Sequence, residues 1–571
     1  MSTFVDAMDQ NVRVNITKLG ENNHNEYTWS VLQKDKIVQL YYQINRCSKE
    51  ESKNLAERLY DLLVTYKNDK DMTELLYRMV VFTRDMIDGK GERQISFDFI
   101  YQVARIDQDA AKTIIRYIVS CDKIGSEGKN HQYGCWRDLK LLWSNYDWKV
   151  INFDHSFMIT LINDQLKKDL STGNISLVAK WIPREKSKYR SMFYVLAEDY
   201  YSEYLTTPVT KEQMAKAKCK AYMDYRKTVT SLNKRLDTVQ IKQCGQKYSN
   251  IDYDHVTSIT MIKQKNAFLN TRKNGDIRST DEDRITGMIN MQNFISDKVS
   301  SGKTIQGKRV SIYDFVKNAN YYNNNNSNLT DDHKMLLNSQ WTDAGKSIGS
   351  LENFVAMVDT SGSMECDKNV PLYNAIGLGC RIAEKSTLGR RVLTFNSNPS
   401  WVNLQGTNTL CEMVHEIDKS DSKGYGTNFT KALELILDSV VKARLTNDVV
   451  KNIALVILSD MQIDGNSYNE TITESMWDLI KTKYSDAGIA VHDIPYDVPC
   501  IVFWNLRTTS GFPTLTTQIG ASMMSGSNPT LINSFCNSGL TELRNMTPWD
   551  NMVKSIMKDR YNIFDLLSYR A

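Results

Sequence analysis

From Trp29 to Trp341 apolar residues recur at helical spacing. Leu55, Leu59, Leu62, Leu63 and Tyr66 fall on one stripe of a helix. Similar stripes over 71–87, 95–106, 109–121, 155–170, 187–205, 211–235 and 281–299 predict further helices. Only Pro183 and Pro208 interrupt this region, which allows long helices. Helices joined by short polar segments, with little strand signal and no fixed repeat period, predict an all-α array of antiparallel pairs. The polar residues 1–28 are expected to be a flexible lead-in, and the asparagine-rich stretch 320–328 an exposed loop. After Asn353 the pattern changes. Strand-like runs at 353–358, 391–395, 453–459, 498–503 and 517–524 alternate with helix-like segments at 371–387, 408–417, 429–444, 471–486 and 549–559. That alternation predicts a doubly wound α/β sheet. The expected organisation is therefore α plus α/β: a lead-in (1–28), an all-α helical-repeat domain (29–345) and an α/β domain (346–571).

Composition narrows the setting. The longest uninterrupted apolar run is Ile453–Leu458, far short of the ~20 residues a membrane helix needs. The first residues include acids and no apolar core, so no secretory signal is expected. Ten cysteines occur singly, with no Cys-x-x-Cys, which reads as reduced thiols. A cytoplasmic or nuclear setting is expected, or the interior of a virus particle assembled there. Charge is divided: 52 lysines and arginines face 43 acids up to residue 350, and 19 face 24 beyond it. A basic front and a mildly acidic back permit a polyanionic partner for the front half.

The candidate chemistry lies at strand ends. Phe354–Asp359 is an apolar run ending in an acid, followed by hydroxyls at Ser361 and Ser363. Acid and hydroxyls at every second position form an oxygen-only donor set, suited to a hard divalent cation such as Mg²⁺. Thr427 sits on a glycine-rich turn before a helix, and Ile453–Asp460 is a second apolar strand ending in an acid. Ligands of doubly wound sheets bind beyond the carboxyl ends of the strands, where these two acids would meet.

Asp359, Ser361, Ser363, Thr427 and Asp460 together resemble the metal-ion-dependent adhesion site (MIDAS) of von Willebrand factor A domains. The resemblance implies that Ser361 and Ser363 ligate Mg²⁺ (or Mn²⁺ or Ca²⁺) directly and Thr427 directly or through water. Asp359 and Asp460 would hold its waters, and an acidic group of a protein partner would complete the shell. Met461 departs from the pattern, since many relatives carry glycine there. In the front half, Thr83–Arg93, Tyr133–Leu139 and Lys180–Arg190 extend the likeness to Ro-like proteins, in which a helical-repeat TROVE domain precedes a von Willebrand A domain. The likeness is most specific to a branch known in plants and large DNA viruses, and it runs from about residue 30 onward. It implies a ribonucleoprotein scaffold that binds single-stranded or structured RNA through its helical part. Candidate contacts are Lys90, Arg93, Arg137, Arg184, Lys186, Lys188 and Arg190, with Trp136 and Trp181 as stacking platforms. The same residues have a plainer reading: Arg–Asp pairs at 84–85 and 137–138 as helix-end ion pairs, the tryptophans as core, and 184–190 as a solvated face. The alternative function is a protein–protein adhesion or particle-assembly module without an RNA role.

Enzymatic signals fail. Gly302-Lys-Thr304 and Gly345-Lys-Ser347 lack the upstream glycine of a phosphate loop, with Asp297 and Gln340 standing there. A phosphoryl-transfer reading of Asp359 needs a second acid two positions on, where Ser361 stands. The seven histidines have neither zinc spacing nor a nucleophile motif beside them. No catalytic residue is proposed.

Overall fold

The structure is a computed structural model. It describes residues 17–119, 132–324, 331–420, 426–463, 475–509, 511–536 and 539–563, and two short strands within 466–471. A helical front region leads into a mixed sheet domain. Helices run at Lys49–Thr65, Lys70–Arg84, Arg93–Ile106 and Gln108–Val119, then at Trp136–Asn145, Ser156–Ser171, Arg190–Tyr200, Lys211–Leu236 and Glu282–Ser300. Each follows an apolar stripe because that stripe is the buried one: Leu55, Leu59, Leu62 and Leu63 all face the core. The Lys49–Thr65 helix starts in a reciprocal cap. The Ser48 side chain accepts from the Glu51 N–H, and the Glu51 carboxylate accepts from the Ser48 N–H. Residues 120–121 of the stripe expected at 109–121 lie outside the described residues.

The sheet has six strands: β1 (Phe354–Asp359), β2 (Arg391–Phe395), β3 (Ser400–Asn403), β4 (Ala454–Ser459), β5 (Cys500–Asn505) and β6 (Ala521–Ser525). Their order is β6-β5-β4-β1-β2-β3, parallel throughout except for the antiparallel edge pair β2–β3. Every residue of β4 and β5 is buried, as expected of parallel strands covered on both faces. β1 and β4 lie side by side, with Val358 paired to Leu458, and the chain leaves them toward opposite edges. Their carboxyl ends therefore open a crevice at the reversal of strand order.

Three expectations change. Residues 17–27 are no loose lead-in: Thr17–Leu19 and Asn25–Tyr27 form an antiparallel hairpin, with His24 and Glu26 buried and Tyr27 bridged to Phe512. Residues 1–16 lie outside the described residues. The expected loop at 320–328 begins inside a helix, Ile312–Asn324, because Tyr322 is buried and Asn323 donates to the Cys411 carbonyl; 325–330 lie outside the described residues. The hydrophobic core also does not divide at 345. The Ile312–Asn324 helix packs on the Cys366–Lys385 and Leu410–Ser420 helices of the sheet domain, and one continuous buried cluster runs from Ile37 to Ile563.

The C-terminal part of the described chain docks on the Thr83–Arg93 segment. Asp85 is buried and accepts from Arg560 Nε at 2.6 Å, Arg560 Nη2 at 2.9 Å and the Tyr561 hydroxyl at 2.9 Å. Asn528 and Thr530 donate to the Ile87 carbonyl, and Asn528 also to that of Gly89. The Gln33–Gln43 helix packs on β6 and on the Pro548–Ile556 helix.

Candidate functional site

Asp359 ends β1 and is fully buried. Its Oδ1 accepts the Ser361 N–H at 2.9 Å, and its Oδ2 accepts the Ser459 hydroxyl from the end of β4. The next residue, Asp460, accepts the Gln462 N–H at 3.2 Å and Arg507 Nη1 at 3.0 Å. Ser361 and Ser363 face each other, Oγ to Oγ, at 3.2 Å. Ser361 is buried, while Ser363 is half-buried and gives the cluster its open side. Thr427 is buried on the turn before the Phe429–Lys442 helix. That turn is tied to the end of β2 by Asn428 N–H to Asn396 O (3.1 Å) and Gly426 N–H to Ser397 Oγ (2.9 Å). Asn396 in turn donates to the Thr360 hydroxyl. The five residues picked from the sequence thus stand on three loops at one end of the sheet, and hydrogen bonds link the loops.

The electrostatics suit a cation. Burial, and then the neighbouring Asp460, push the Asp359 carboxyl up to about 7. Burial also raises Asp460, while Gln462 N–H, Arg507 and Ser363 oppose the rise. Among the described residues no group of three or more His, Cys, Asp and Glu is arranged to hold a metal. Any ion here would rest on two acids and hydroxyls, a donor set that fits hard divalent cations and not zinc. Met461 has φ of 62°, the left-handed region where a side chain costs about 1 kcal/mol. Beyond the hydroxyls, Asp367, Lys368 and Asn369 have φ of 49°, 65° and 63°.

The front-half candidates separate. Lys90 is fully buried and donates to the carbonyls of Tyr41 and Ile44 and to the Ser525 hydroxyl, so it joins the two regions and cannot reach a nucleic acid. Burial holds its amine well below the usual lysine range. Trp136 is buried as core. Arg93 Nε lies 3.0 Å from Asp138 Oδ1, an ion pair whose angle is too poor for a hydrogen bond. Arg84 also serves Asp138, with Nε at 3.0 Å. These segments are structural, and the helix-end reading of their Arg–Asp content describes them better.

Arg137, Arg184, Lys186, Lys188 and Arg190 are exposed. The half-buried Trp181 has Arg137 at 5.6 Å, Lys140 at 5.4 Å and Lys180 at 5.9 Å from its ring centre. Tyr189 has Lys140 at 5.2 Å and Lys188 at 4.9 Å. Burial, then Arg137 and Lys188, lower the Lys140 pKa. Among the described residues none of these seven cations pairs with a carboxylate; the nearby Glu185 is taken by Arg226. An open concavity of about 840 Å³ beside Lys186, Lys188 and Arg190 continues this face toward Arg226. Lys180 and Tyr189 lie inside the Lys180–Arg190 stretch and Lys140 just past Tyr133–Leu139, yet none of the three was chosen as a contact, because the ring contacts that join the two stretches form only in the fold.

Comparison with known proteins places two matches along the chain. Residues 154–348 match a domain of unknown function, DUF2828, and residues 353–563 another, DUF7788. An uncharacterized protein of Acanthamoeba polyphaga mimivirus is 28% identical over 516 residues, covering 85% of this chain and 80% of its own. The crystal structure of the Deinococcus radiodurans Ro (RSR) protein aligns with 88% of this chain and 99% of its own, at 11% identity and a TM-score of 0.35, a likeness too loose to argue from.

Proposed function

We propose that this chain is a non-catalytic, RNA-associated scaffold of the Ro-like kind. The observation that carries the reading is a face with seven cations that pair with no carboxylate among the described residues, four of which, Arg137, Lys140, Lys180 and Lys188, surround the Trp181 and Tyr189 rings. Cations without carboxylate partners cost self-repulsion, and a phosphate backbone relieves it. The ring faces between them suit unpaired bases. RNA contacts are assigned to Arg137, Arg184, Lys186, Lys188 and Arg190, with Trp181 as the stacking platform.

The second half of the proposal concerns the strand-end cluster, read as a von Willebrand A-type adhesion site. Ser361, Ser363 and Thr427 would offer hydroxyls to Mg²⁺, Mn²⁺ or Ca²⁺, with Asp359 and Asp460 balancing its charge. The ion would supply a positive centre for an acidic group on a protein partner. Two buried carboxylates, both raised by burial, with Asp460 adding to the rise of Asp359, support this part.

The test is filter binding of the full chain to an unstructured single-stranded RNA across a salt series. Expected is binding that weakens with salt at a slope near −0.7 per phosphate contact. Lys186→Glu/Lys188→Glu/Arg190→Glu should bind at least tenfold more weakly, with a shallower slope. No binding at low salt would remove the RNA role and leave the adhesion or assembly reading. That reading would in turn require capture of an acidic partner that chelator and Asp359→Ala both abolish.

A further inference from the structure

The sequence pattern did not point to Arg507, yet this residue reaches into the strand-end cluster. It lies just past the end of β5, where its N–H bonds to Asn505 Oδ1 at 3.0 Å. Its guanidinium is divided between two acids. Nη1 bonds Asp460 Oδ2 at 3.0 Å, and Nη2 bonds both Glu21 oxygens, at 3.1 and 2.9 Å. Glu21 belongs to the turn of the N-terminal hairpin. That turn is pinned to the loop carrying Asp460: the Glu21 N–H donates to Gln462 Oε1 at 2.7 Å, and the Asn22 amide to the Gln462 carbonyl at 3.0 Å. Exposure rises along the chain of charges, from 0% for the Asp460 side chain to 27% for Arg507 and 51% for Glu21.

A buried carboxylate needs a counter-charge, and Asp460 already has one from within the chain. A second cation at the same carboxylate meets the charge of the first. We propose that Arg507 is the resident counter-cation of the cluster, that an incoming divalent ion competes with it for Asp460, and that Glu21 sets the balance by drawing the guanidinium outward. This rests on the metal reading above. It makes the hairpin a control element: whatever frees Arg507 from Glu21 tightens its hold on Asp460 and disfavours the ion. A partner carboxylate approaching the cluster would in turn compete with Glu21 for the same guanidinium.

The experiment is calorimetric titration of Mn²⁺ into the full chain, with melting temperature as a second readout. Arg507→Gln should bind Mn²⁺ more tightly, on the order of tenfold for one unit charge removed from a partly buried site. Its metal-free form should melt lower than wild type, and Mn²⁺ should raise its melting temperature by more. Glu21→Gln should act oppositely, weakening Mn²⁺ binding roughly threefold, a smaller effect because Glu21 is more exposed and more screened. It is a surface change, so it decides the question even if Arg507→Gln folds poorly. A silent wild type with a binding Arg507→Gln also supports the proposal. Weaker or unchanged binding in Arg507→Gln, or tighter binding in Glu21→Gln, overturns it and leaves the metal reading intact. Silence in all three, or binding that survives Asp359→Ala, overturns the metal reading itself.

Discussion

Asp138 offers the sharpest test of the structural role assigned to the Tyr133–Leu139 segment. Its carboxylate is fully buried and is the partner of Arg84, whose side chain is also buried. It accepts the Cys135 N–H at 3.1 Å at the start of the Trp136–Asn145 helix and pairs with Arg93. Asp138→Ala strands the Arg84 guanidinium without a counter-charge, a loss of about 3–5 kcal/mol, and removes a helix cap for about 1 kcal/mol more. Arg93 is partly exposed and returns to water at little cost. The expected destabilisation is therefore about 4–6 kcal/mol, measured by urea unfolding of the full chain with circular dichroism and tryptophan fluorescence in parallel. Arg84→Met/Asp138→Leu replaces the buried pair by apolar side chains and should recover most of that loss, keeping only about 1–2 kcal/mol for the cap and imperfect packing. RNA affinity of the double variant should match wild type. A loss below 1 kcal/mol for Asp138→Ala, or a double variant no better than the single, would refute the buried-pair argument.

Asp85→Ala deprives Arg560 and Tyr561 of their common acceptor and should cost about 3 kcal/mol. It should also separate the unfolding of the helical and sheet regions, which the continuous core of the wild type is expected to hold to one transition. Lys265 is pushed down to about 8 by burial. Between there and its unfolded value of 10.5 the unfolded chain binds the extra proton, so this group makes stability rise with pH across that window, by up to about 3 kcal/mol. Lys265→Met should remove that rise when compared with wild type by urea titration at stepped pH. Asp359→Asn keeps the shape of the carboxylate and one of its two acceptor oxygens, with the amide NH2 turned to the Ser459 hydroxyl as a donor, and relieves its repulsion with Asp460. Near pH 8 the metal-free chain should gain about 2 kcal/mol, while any stabilisation by Mg²⁺ in thermal melts disappears.

What could be read from the sequence tracks how local each cause is. β1, β4 and β5 were visible because a strand buried on both faces must be an apolar run, and Asp359 and Asp460 stood out as acids closing such runs. β3 was not, since it is an edge strand in which only Val402 is buried. The stripe of Lys49–Thr65 announced itself, whereas Ile312–Asn324 was hidden where asparagines read as loop although Tyr322 faces the core. Lys90 shows the limit. Nothing in Gly-Lys-Gly-Glu-Arg tells a solvated lysine from a buried one, because the deciding partner, Ser525, is 435 positions away. Arg507 was invisible for the same reason: its two carboxylates lie 47 and 486 positions from it.

The clasp of the Gln33–Gln43 helix on β6 bears on synthesis. Tyr41 touches Met524, 483 positions downstream, so the helix completes its docking only after the intervening chain has been made. Until then the helix can pack on the Lys49–Thr65 helix and on Phe82, but the part of its apolar side that β6 and the Pro548–Ile556 helix cover stays open. A nascent chain stalled before β6 should therefore be a client for chaperones, and cutting the gene between the helical and sheet regions should yield two sticky fragments in place of two independent modules.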